Sequence, residues 1–323
     1  MSPFQYASAT TPEEAIALVG KNGRYLGGGI DLLGEMKDYI VSPDVLVDVK
    51  SISSDSPPPK KWPDFPGHYL SGNMTIAQIA AESDLKDSFP GLTEAASEVG
   101  SPQIRNVATL AGNLLQHSRC WYYRQPDIVC LKRGGSTCYG QDGENKYLSL
   151  FSGCACISPI VSNLSVILTA LNANAWVTMK GELGMITMPE LYSKAWKHSE
   201  AHNYLNLQDL LSGVAIPLNR TRSAYRQVSE KSEFDWALVS CAAAGNVANG
   251  KITDARVVLG AVAPIPYMVE AANEYLEGKD LTDEHASHAA DIILKNAKPL
   301  AHNGYKVPIA HTLIRRTLLA LNA

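Results

Sequence analysis

Four cysteines on one irregular segment constrain this chain more than any other feature. Cys120, Cys130, Cys138 and Cys156 are separated by nine, seven and seventeen residues. Four sulfur atoms on one such segment can surround a single iron–sulfur cluster, because these clusters are bound by cysteine thiolates. The spacing therefore indicates a redox metal centre.

Other uses of the cysteines fit the spacing less well. Five of the six cysteines fall between residues 120 and 156, whereas disulfides are typical of short secreted chains with cysteines throughout. Zinc sites favour Cys-x2-Cys pairs, and no two of the first three cysteines are that close, so the spacing favours a 4Fe–4S cluster. From the residues alone, Cys154 and Cys156 both remain candidates for the fourth ligand. Cys241 lies in an apolar run and is predicted to be a small buried residue.

Two glycine-bearing loops precede these cysteines in the sequence. The first glycine loop, residues 26–33, contains Gly27-Gly28-Gly29 between a predicted strand and a helical stretch. The second glycine loop, residues 108–113, combines small residues with hydroxyl and amide side chains. Small residues let backbone N–H groups approach phosphate. The spacing is not G-x-G-x-x-G, and either loop alone is compatible with a tight turn, but together they indicate a large dinucleotide.

Length and charge narrow the class of protein. The 323 residues are enough for two domains. A net charge of −4 argues against nucleic acid as a partner. No apolar run reaches the roughly 20 residues that span a bilayer, and the N-terminus lacks the features of a signal peptide. We therefore expect no membrane span and a cytoplasmic location, with export on a partner's signal left open.

The order of predicted elements indicates a mixed fold with a change near residue 221. A proline-rich stretch at 53–69 reads as a linker or surface loop. After residue 221 we expect long antiparallel strands, with Asn249-Gly250 as a hairpin turn, followed by three helices. Before that change the pattern predicts helices near 11–20, 32–40, 75–83, 92–100 and 165–171, and strands near 24–26, 45–49, 172–179 and 209–218.

These motifs together resemble the FAD-binding medium subunits of the molybdenum hydroxylases, the group of xanthine dehydrogenase and carbon monoxide dehydrogenase. The stretch LGGGIDLL at 26–33 is similar to the family's first FAD loop, and SPQIRNVATLAGNL at 101–114 to its second. Residues 257–278 resemble the start of its C-terminal domain. The resemblance covers nearly the whole chain.

The resemblance implies an α+β fold in two domains. Residues 1–219 would form a two-part FAD-binding domain of the molybdopterin dehydrogenase type, with subdomains at about 1–56 and 57–219 and an iron–sulfur insertion at about 117–157. Residues 220–323 would form a C-terminal domain with a three-stranded antiparallel sheet and three helices, as in the carbon monoxide dehydrogenase flavoprotein.

The resemblance also implies the residues that contact FAD. Its pyrophosphate would lie on the two glycine loops and its ring near Leu210. Asn163 stands where the family usually has aspartate, and Gln227 stands where it usually has a lysine close to the flavin, whose charge would tune the ring. The implied FAD residues are Leu26, Gly27, Gly28, Gly29, Ile30, Asp31, Leu32, Ser101, Gln103, Thr109, Gly112, Asn113, Asn163, Leu210 and Gln227.

Within the family, the cysteine insertion resembles the branch that carries a 4Fe–4S cluster. That branch includes the beta subunit of 4-hydroxybenzoyl-CoA reductase and the FAD subunit of a periplasmic aldehyde oxidoreductase. Its pattern favours Cys156 over Cys154 and gives Cys120, Cys130, Cys138 and Cys156 as the ligands.

The implied function is an oxidoreductase subunit that transfers electrons and has no catalytic residues of its own. Its partners in a heterotrimer would be a large molybdopterin subunit and a small subunit with two 2Fe–2S clusters, with ferredoxin or another carrier outside the complex. Two alternatives are a stand-alone FAD oxidoreductase and a zinc-stapled nucleotide-binding module. The substrate and the direction of electron flow do not follow from the sequence.

Overall fold

The computed structural model describes residues 1–53, 67–220 and 222–322. Within these residues the strands form three sheets, one of three strands and two of four strands. The core of the proline-rich stretch, residues 54–66, lies outside the described residues, and so does the boundary that we expected near residue 56.

The N-terminal unit is a small parallel sheet covered by helices. Its strand order is β1-β3-β2, and both pairings are parallel. Helix α1 begins where the Thr11 side chain accepts a hydrogen bond from the backbone N–H of Glu14, and it buries Ala15 and Val19 completely. Its elements are β1 (Gln5–Ser8), α1 (Pro12–Val19), β2 (Arg24–Leu26), α2 (Leu32–Lys37) and β3 (Val45–Asp48).

The second unit is an antiparallel sheet packed on helices. Its strand order is β4-β7-β5-β6. Every residue of the helix Asn163–Ala170 is buried, so this helix forms the centre of the unit. The strands are β4 (Gly67–Ser71), β5 (Asn174–Met179), β6 (Glu182–Thr187) and β7 (Leu210–Pro217). The helices are α3 (Ile76–Ala81), α4 (Ser83–Ser88), α5 (Pro90–Ser97), α6 (Pro102–Val107), α7 (Leu110–Leu114), α8 (Trp121–Arg124), α9 (Asn163–Ala170) and α10 (Met188–Lys197).

The C-terminal unit has the expected antiparallel sheet and three helices. Asn249 and Gly250 both have positive φ, 53° and 76°, and join two ten-residue strands. The predicted fold is confirmed, and the sheet carries a fourth strand of two residues. The strands are β8 (Arg222–Val228), β9 (Val239–Ala248), β10 (Lys251–Gly260) and β11 (Tyr267–Met268), and the helices are α11 (Glu270–Leu276), α12 (Asp283–Leu294) and α13 (Lys306–Leu319).

Strand β9 joins the cores of the second and C-terminal units. Ala242 and Ala244 belong to the core that contains α9. Cys241 and Ala243 belong to the core that contains α12 and α13. Successive residues of a strand point to opposite faces, so this strand is buried on both sides. Cys241 is fully buried, as expected, and burial raises the pKa of its thiol to about 12.

The cysteine segment, residues 117–157, is mostly irregular and contains only α8 and a short 3-10 turn, Leu131–Arg133. The C-terminal unit holds the end of this segment. Asn303 Nδ2 donates to the carbonyl oxygens of Leu148 and Ser149, at 3.2 and 3.1 Å. Lys306 Nζ donates to the carbonyl oxygens of Tyr147 and Ala261, both at 2.9 Å.

Among the described residues, no helix combines the length and the apolar character that crossing a membrane requires.

Candidate functional site

A cavity of about 960 Å³ lies between the N-terminal and second units. We call it the large cavity. Both glycine loops line it, together with residues of β7 and of the loop between β8 and β9. A cavity of this size is in the range of sites that enclose a whole organic cofactor.

The first glycine loop packs so closely against the second that side chains at its glycine positions would clash. A Cβ added at Gly28 would lie 2.1 Å from the carbonyl oxygen of Val107, and one at Gly27 would lie 2.8 Å from Oγ1 of Thr109. Gly29 has a φ of 73°, which favours glycine. Side chains on the first loop would therefore force the two loops apart. Glycine leaves the backbones close enough to form one wall.

Most of the FAD residues predicted from the sequence meet at this cavity. Asn163 and Leu210 come from α9 and β7, far from the glycine loops in the sequence. The predicted residues that line the cavity are Leu26, Gly27, Gly28, Gly29, Ile30, Asp31, Leu32, Thr109, Gly112, Asn113, Asn163 and Leu210.

Three predicted residues lie outside the cavity lining. Ser101 caps α6, where its Oγ accepts from the backbone N–H of Ile104 over 3.3 Å. Gln103 is exposed on α6. Gln227 lies behind the cavity wall, and its Nε2 donates to Oε2 of Glu98, which does line the cavity, over 3.2 Å.

Two arginines at the cavity were missed by sequence reasoning. Arg24 and Arg119 both line it, and within the described residues the Nε of each is buried without a hydrogen-bond partner. Burial lowers the pKa of both guanidinium groups, yet they stay charged because arginine titrates far above neutral pH. Positive charge at a cavity wall suits an anionic ligand such as a diphosphate.

A second, much smaller cavity lies within the cysteine segment. We call it the cysteine cavity. It is lined by Cys120, Cys130, Cys138 and Cys156. Cys154 does not line it; its Sγ lies 3.6 Å from the carbonyl oxygen of Cys156 and 3.9 Å from that of Ala195.

The described residues that line the cysteine cavity include no carboxylate, and Lys132 is the basic residue among them. Burial raises the pKa of Cys120 to about 11 and also raises the pKa of Cys156, against a smaller lowering by the charge of Lys132. Across the described residues, no three or more His, Cys, Asp or Glu side chains are arranged to hold a metal ion. The four thiols therefore share one cavity without forming a ready-made site for an ion.

The two cavities adjoin at the start of the cysteine segment. His117 and Arg119 line the large cavity, while Ser118 and Cys120 line the cysteine cavity. Successive residues thus alternate between the two. His117 is not among the residues that the sequence implies, and only the fold shows its position at the large cavity.

Comparison with known families now assigns the chain. Residues 2–219 match the FAD binding domain in molybdopterin dehydrogenase, and residues 223–321 match the CO dehydrogenase flavoprotein C-terminal domain. The chain belongs to the FAD-binding medium subunits of the molybdenum hydroxylases. The family predicted from the sequence is confirmed, as is an oxidoreductase subunit of this family. The match supports FAD binding.

Individual relatives agree with this assignment along their whole length. The chain is 29% identical to the aldehyde oxidoreductase FAD-binding subunit PaoB of Escherichia coli, over 100% of this chain and 98% of that protein. It is 24% identical to the carbon monoxide dehydrogenase medium chain of Hydrogenophaga pseudoflava, over 98% of this chain and 96% of that one. The structure of reconstituted CO dehydrogenase from Oligotropha carboxidovorans has a TM-score of 0.76 and 19% identity, covering 99% and 98% of the two chains, so the fold is shared.

Proposed function

We propose that this chain is the FAD- and 4Fe–4S-carrying electron-transfer subunit of a multi-subunit molybdenum hydroxylase, dehydrogenase or reductase. One observation carries the proposal. The four cysteines that the spacing singles out line the cysteine cavity, which adjoins the large cavity. The chain also belongs to a family with an FAD-binding domain.

For FAD, the large cavity offers a suitable set of groups. The close-packed loops at Gly28 and Thr109 would present backbone to the ligand rather than side chains, and Arg24 and Arg119 would add positive charge near the diphosphate. Asn113 and Asn163 add amide groups that can bond ribityl hydroxyls. Leu210 is an apolar neighbour for the ring.

For the cluster, the donor set of the cysteine cavity has the right chemistry. Cysteine thiolates are the ligands of 4Fe–4S clusters, and Cys120, Cys130, Cys138 and Cys156 line the cavity while Cys154 faces Ala195. A zinc ion would draw four sulfurs to within about 3.8 Å of each other, given Zn–S bonds near 2.3 Å. In a 4Fe–4S cluster each thiolate binds a different iron, so the sulfurs stay farther apart than around a single ion. This suits four cysteines that line one cavity but, among the described residues, are not arranged to hold a single metal ion.

When bound, FAD and the cluster would supply the redox chemistry, passing electrons between each other and their partners. The protein itself binds the two cofactors, sets their separation through the shared stretch 117–120 and limits the access of water to the buried thiols. No catalytic side chain is assigned to this chain.

The names of relatives point to the partners. Carbon monoxide dehydrogenase and nicotine 6-hydroxylase relatives are named medium chain or medium subunit. We therefore propose a large molybdopterin subunit and a small subunit with two 2Fe–2S clusters as partners. Because only six cysteines occur in this chain, those clusters would belong to other chains. Ferredoxin or another carrier would exchange electrons with the complex.

Metal and flavin analysis of anaerobically purified protein tests the proposal. We expect about four irons and four sulfides per chain, one FAD, and no substrate turnover by the isolated chain. Cys138→Ser should remove the paramagnetic-resonance signal of the reduced cluster while most of the FAD remains. Zinc in place of iron, or a normal cluster signal in the Cys138→Ser protein, would refute the cluster assignment. Full turnover by the isolated chain would favour the stand-alone oxidoreductase.

A further inference from the structure

The start of the cysteine segment is fixed to α2 on both sides of Cys120. Before the cysteine, the backbone N–H of His117 donates to Oδ2 of Asp31 over 2.7 Å. After it, the hydroxyl of Tyr123 donates to Oε1 of Glu35 over 2.7 Å. Asp31 and Glu35 lie one helical turn apart, so one face of α2 holds both ends of the turn that carries Cys120.

Two arginines complete this contact. Arg124 Nη2 lies 2.6 Å from Oδ1 of Asp31 and 3.6 Å from Oε1 of Glu35, while its Nε donates to the carbonyl oxygen of Ser118 over 2.7 Å. Arg119 Nη2 lies 3.1 Å from the same oxygen of Asp31. Two carboxylates on α2 therefore face two guanidinium groups of the cysteine segment.

The contact is buried, which makes separation of its partners costly. Glu35 is 1% exposed. Burial acts to raise the pKa of Glu35, but hydrogen bonds and charge from His117 and Arg124 outweigh it and hold that pKa below its usual value. Breaking a buried, hydrogen-bonded charge pair leaves an uncompensated charge. The helix and the segment are thus expected to move together.

Helix α2 also continues directly from the first glycine loop. Asp31 lies within the first glycine loop, residues 26–33, and is the N-cap of α2, immediately before Leu32. Ligand binding that orders this loop therefore orders the carboxylates that hold the segment. A ligand in the cysteine cavity would, through the same hydrogen bonds and ion pairs, order the first glycine loop.

We propose that Asp31 and Glu35 are positioning residues that couple the two cofactor sites, so that each cofactor strengthens binding of the other. The inference rests on the proposed function, because it takes FAD in the large cavity and the 4Fe–4S cluster in the cysteine cavity. Coupling between binding sites is reciprocal, and typical values change affinity 5- to 150-fold, with about tenfold as the working expectation here.

FAD titration of the purified chain tests the coupling. One sample carries a reconstituted cluster and the other has been stripped of iron and sulfide by chelation. We expect FAD to bind about tenfold more weakly to the stripped protein. Hydrogen exchange gives a second readout on the unmodified chain, in which adding FAD to the stripped protein should slow exchange of the backbone N–H of His117.

Adjacent tyrosines supply the variant and its matched control. Tyr123→Phe removes the hydrogen bond to Glu35 on α2, whereas Tyr122→Phe removes a 2.7 Å hydrogen bond from the backbone N–H of Glu144, within the cysteine segment itself. We expect Tyr123→Phe to reduce the tenfold ratio to below about threefold and Tyr122→Phe to leave it intact. A merely structural role of Tyr123 would weaken FAD binding equally in loaded and stripped protein.

The outcomes separate the two proposals. Equal FAD affinity in loaded and stripped wild-type protein, with no protection of His117, would overturn the coupling and leave the proposed function standing. Protein that binds FAD but assembles no cluster would overturn both. If Tyr123→Phe fails to fold, Glu35→Gln carries the same expectation, and the hydrogen-exchange result on wild-type protein decides alone.

Discussion

The side-chain amide of Asn163 donates from Nδ2 to Oε1 of Gln227 over 3.1 Å. The resemblance described above implies an aspartate and a lysine at these two positions in the family, and the structure brings the two residues together. In this chain both are amides, so Gln227, behind the wall of the large cavity, carries no charge.

A lysine at position 227 should change the redox potential of the flavin. We expect Gln227→Lys to raise the FAD midpoint potential by on the order of 20–30 mV, about 1 kcal/mol for two electrons, because positive charge stabilises the reduced ring. Spectroelectrochemical titration measures the shift. Gln227→Met is the uncharged control of similar length, and an equal potential in both variants would show that the position lies too far from the ring to matter.

Packing of the glycine loops predicts a sharp contrast between two nearby glycines. Gly28→Ala places a Cβ against the carbonyl oxygen of Val107 and should lower the unfolding free energy by about 1–3 kcal/mol, with loss of FAD. At Gly34 in α2, no atom of the described residues beyond the neighbouring helix backbone lies within 4 Å of an added Cβ, so Gly34→Ala should be neutral or stabilising by up to about 1 kcal/mol. Thermal unfolding and the flavin-to-protein ratio test both. Normal FAD content in Gly28→Ala would contradict the packing argument.

The fourth ligand can be decided by a pair of neighbouring substitutions. Cys156 lines the cysteine cavity, whereas Cys154 faces the carbonyl oxygen of Ala195. We expect Cys156→Ser to lower the iron content and remove the cluster's paramagnetic-resonance signal, and Cys154→Ser to retain about four irons per chain. The reverse pattern would make Cys154 the ligand.

Buried Lys306 predicts a dependence of stability on pH. Burial lowers its pKa from 10.5 to about 7. Between pH 7 and pH 10 the unfolded chain therefore binds a proton that the folded chain lacks, and stability rises with pH through this window. Below pH 7 the lysine is charged in both states, and the free energy of unfolding is then lowered by the full cost of burying its charge.

Lys306→Met removes this titration and tests the sign. We expect the melting temperature of the wild type to rise relative to that of the variant when the pH increases from 7 to 9. The comparison of two proteins at each pH cancels the titration of other groups. A difference that stays constant across these pH values would contradict the assignment.

Local patterns in the sequence were sufficient for the parts of the site that lie on short stretches. The cysteines share one loop segment, so their spacing predicted that they would meet, and they line one cavity. Asn249-Gly250 gave the hairpin because two residues alone determine such a turn. The glycines of the first loop were recognised, although their contact with Val107 was not.

Contacts between distant residues could not be predicted in this way. Glu35 and Tyr123 are 88 positions apart. The His117 and His202 rings, 85 positions apart in the sequence, stack with their centroids 4.0 Å apart. Nothing in the local sequence of these residues identifies their partners, because each pairing depends on how elements far apart in the sequence pack. The positions of Arg24 and Arg119 at the wall of the large cavity could not be predicted for the same reason.

Asn303 and Lys306 donate hydrogen bonds to the backbone carbonyls of Tyr147, Leu148 and Ser149, and these bonds bear on any attempt to truncate the chain. A fragment that stops near residue 220 would keep every predicted cofactor ligand except Gln227, yet the backbone carbonyls of Tyr147, Leu148 and Ser149 would lose these donors. The cysteine segment would then lack its contacts with the C-terminal unit, so truncation is the wrong route to a minimal redox module.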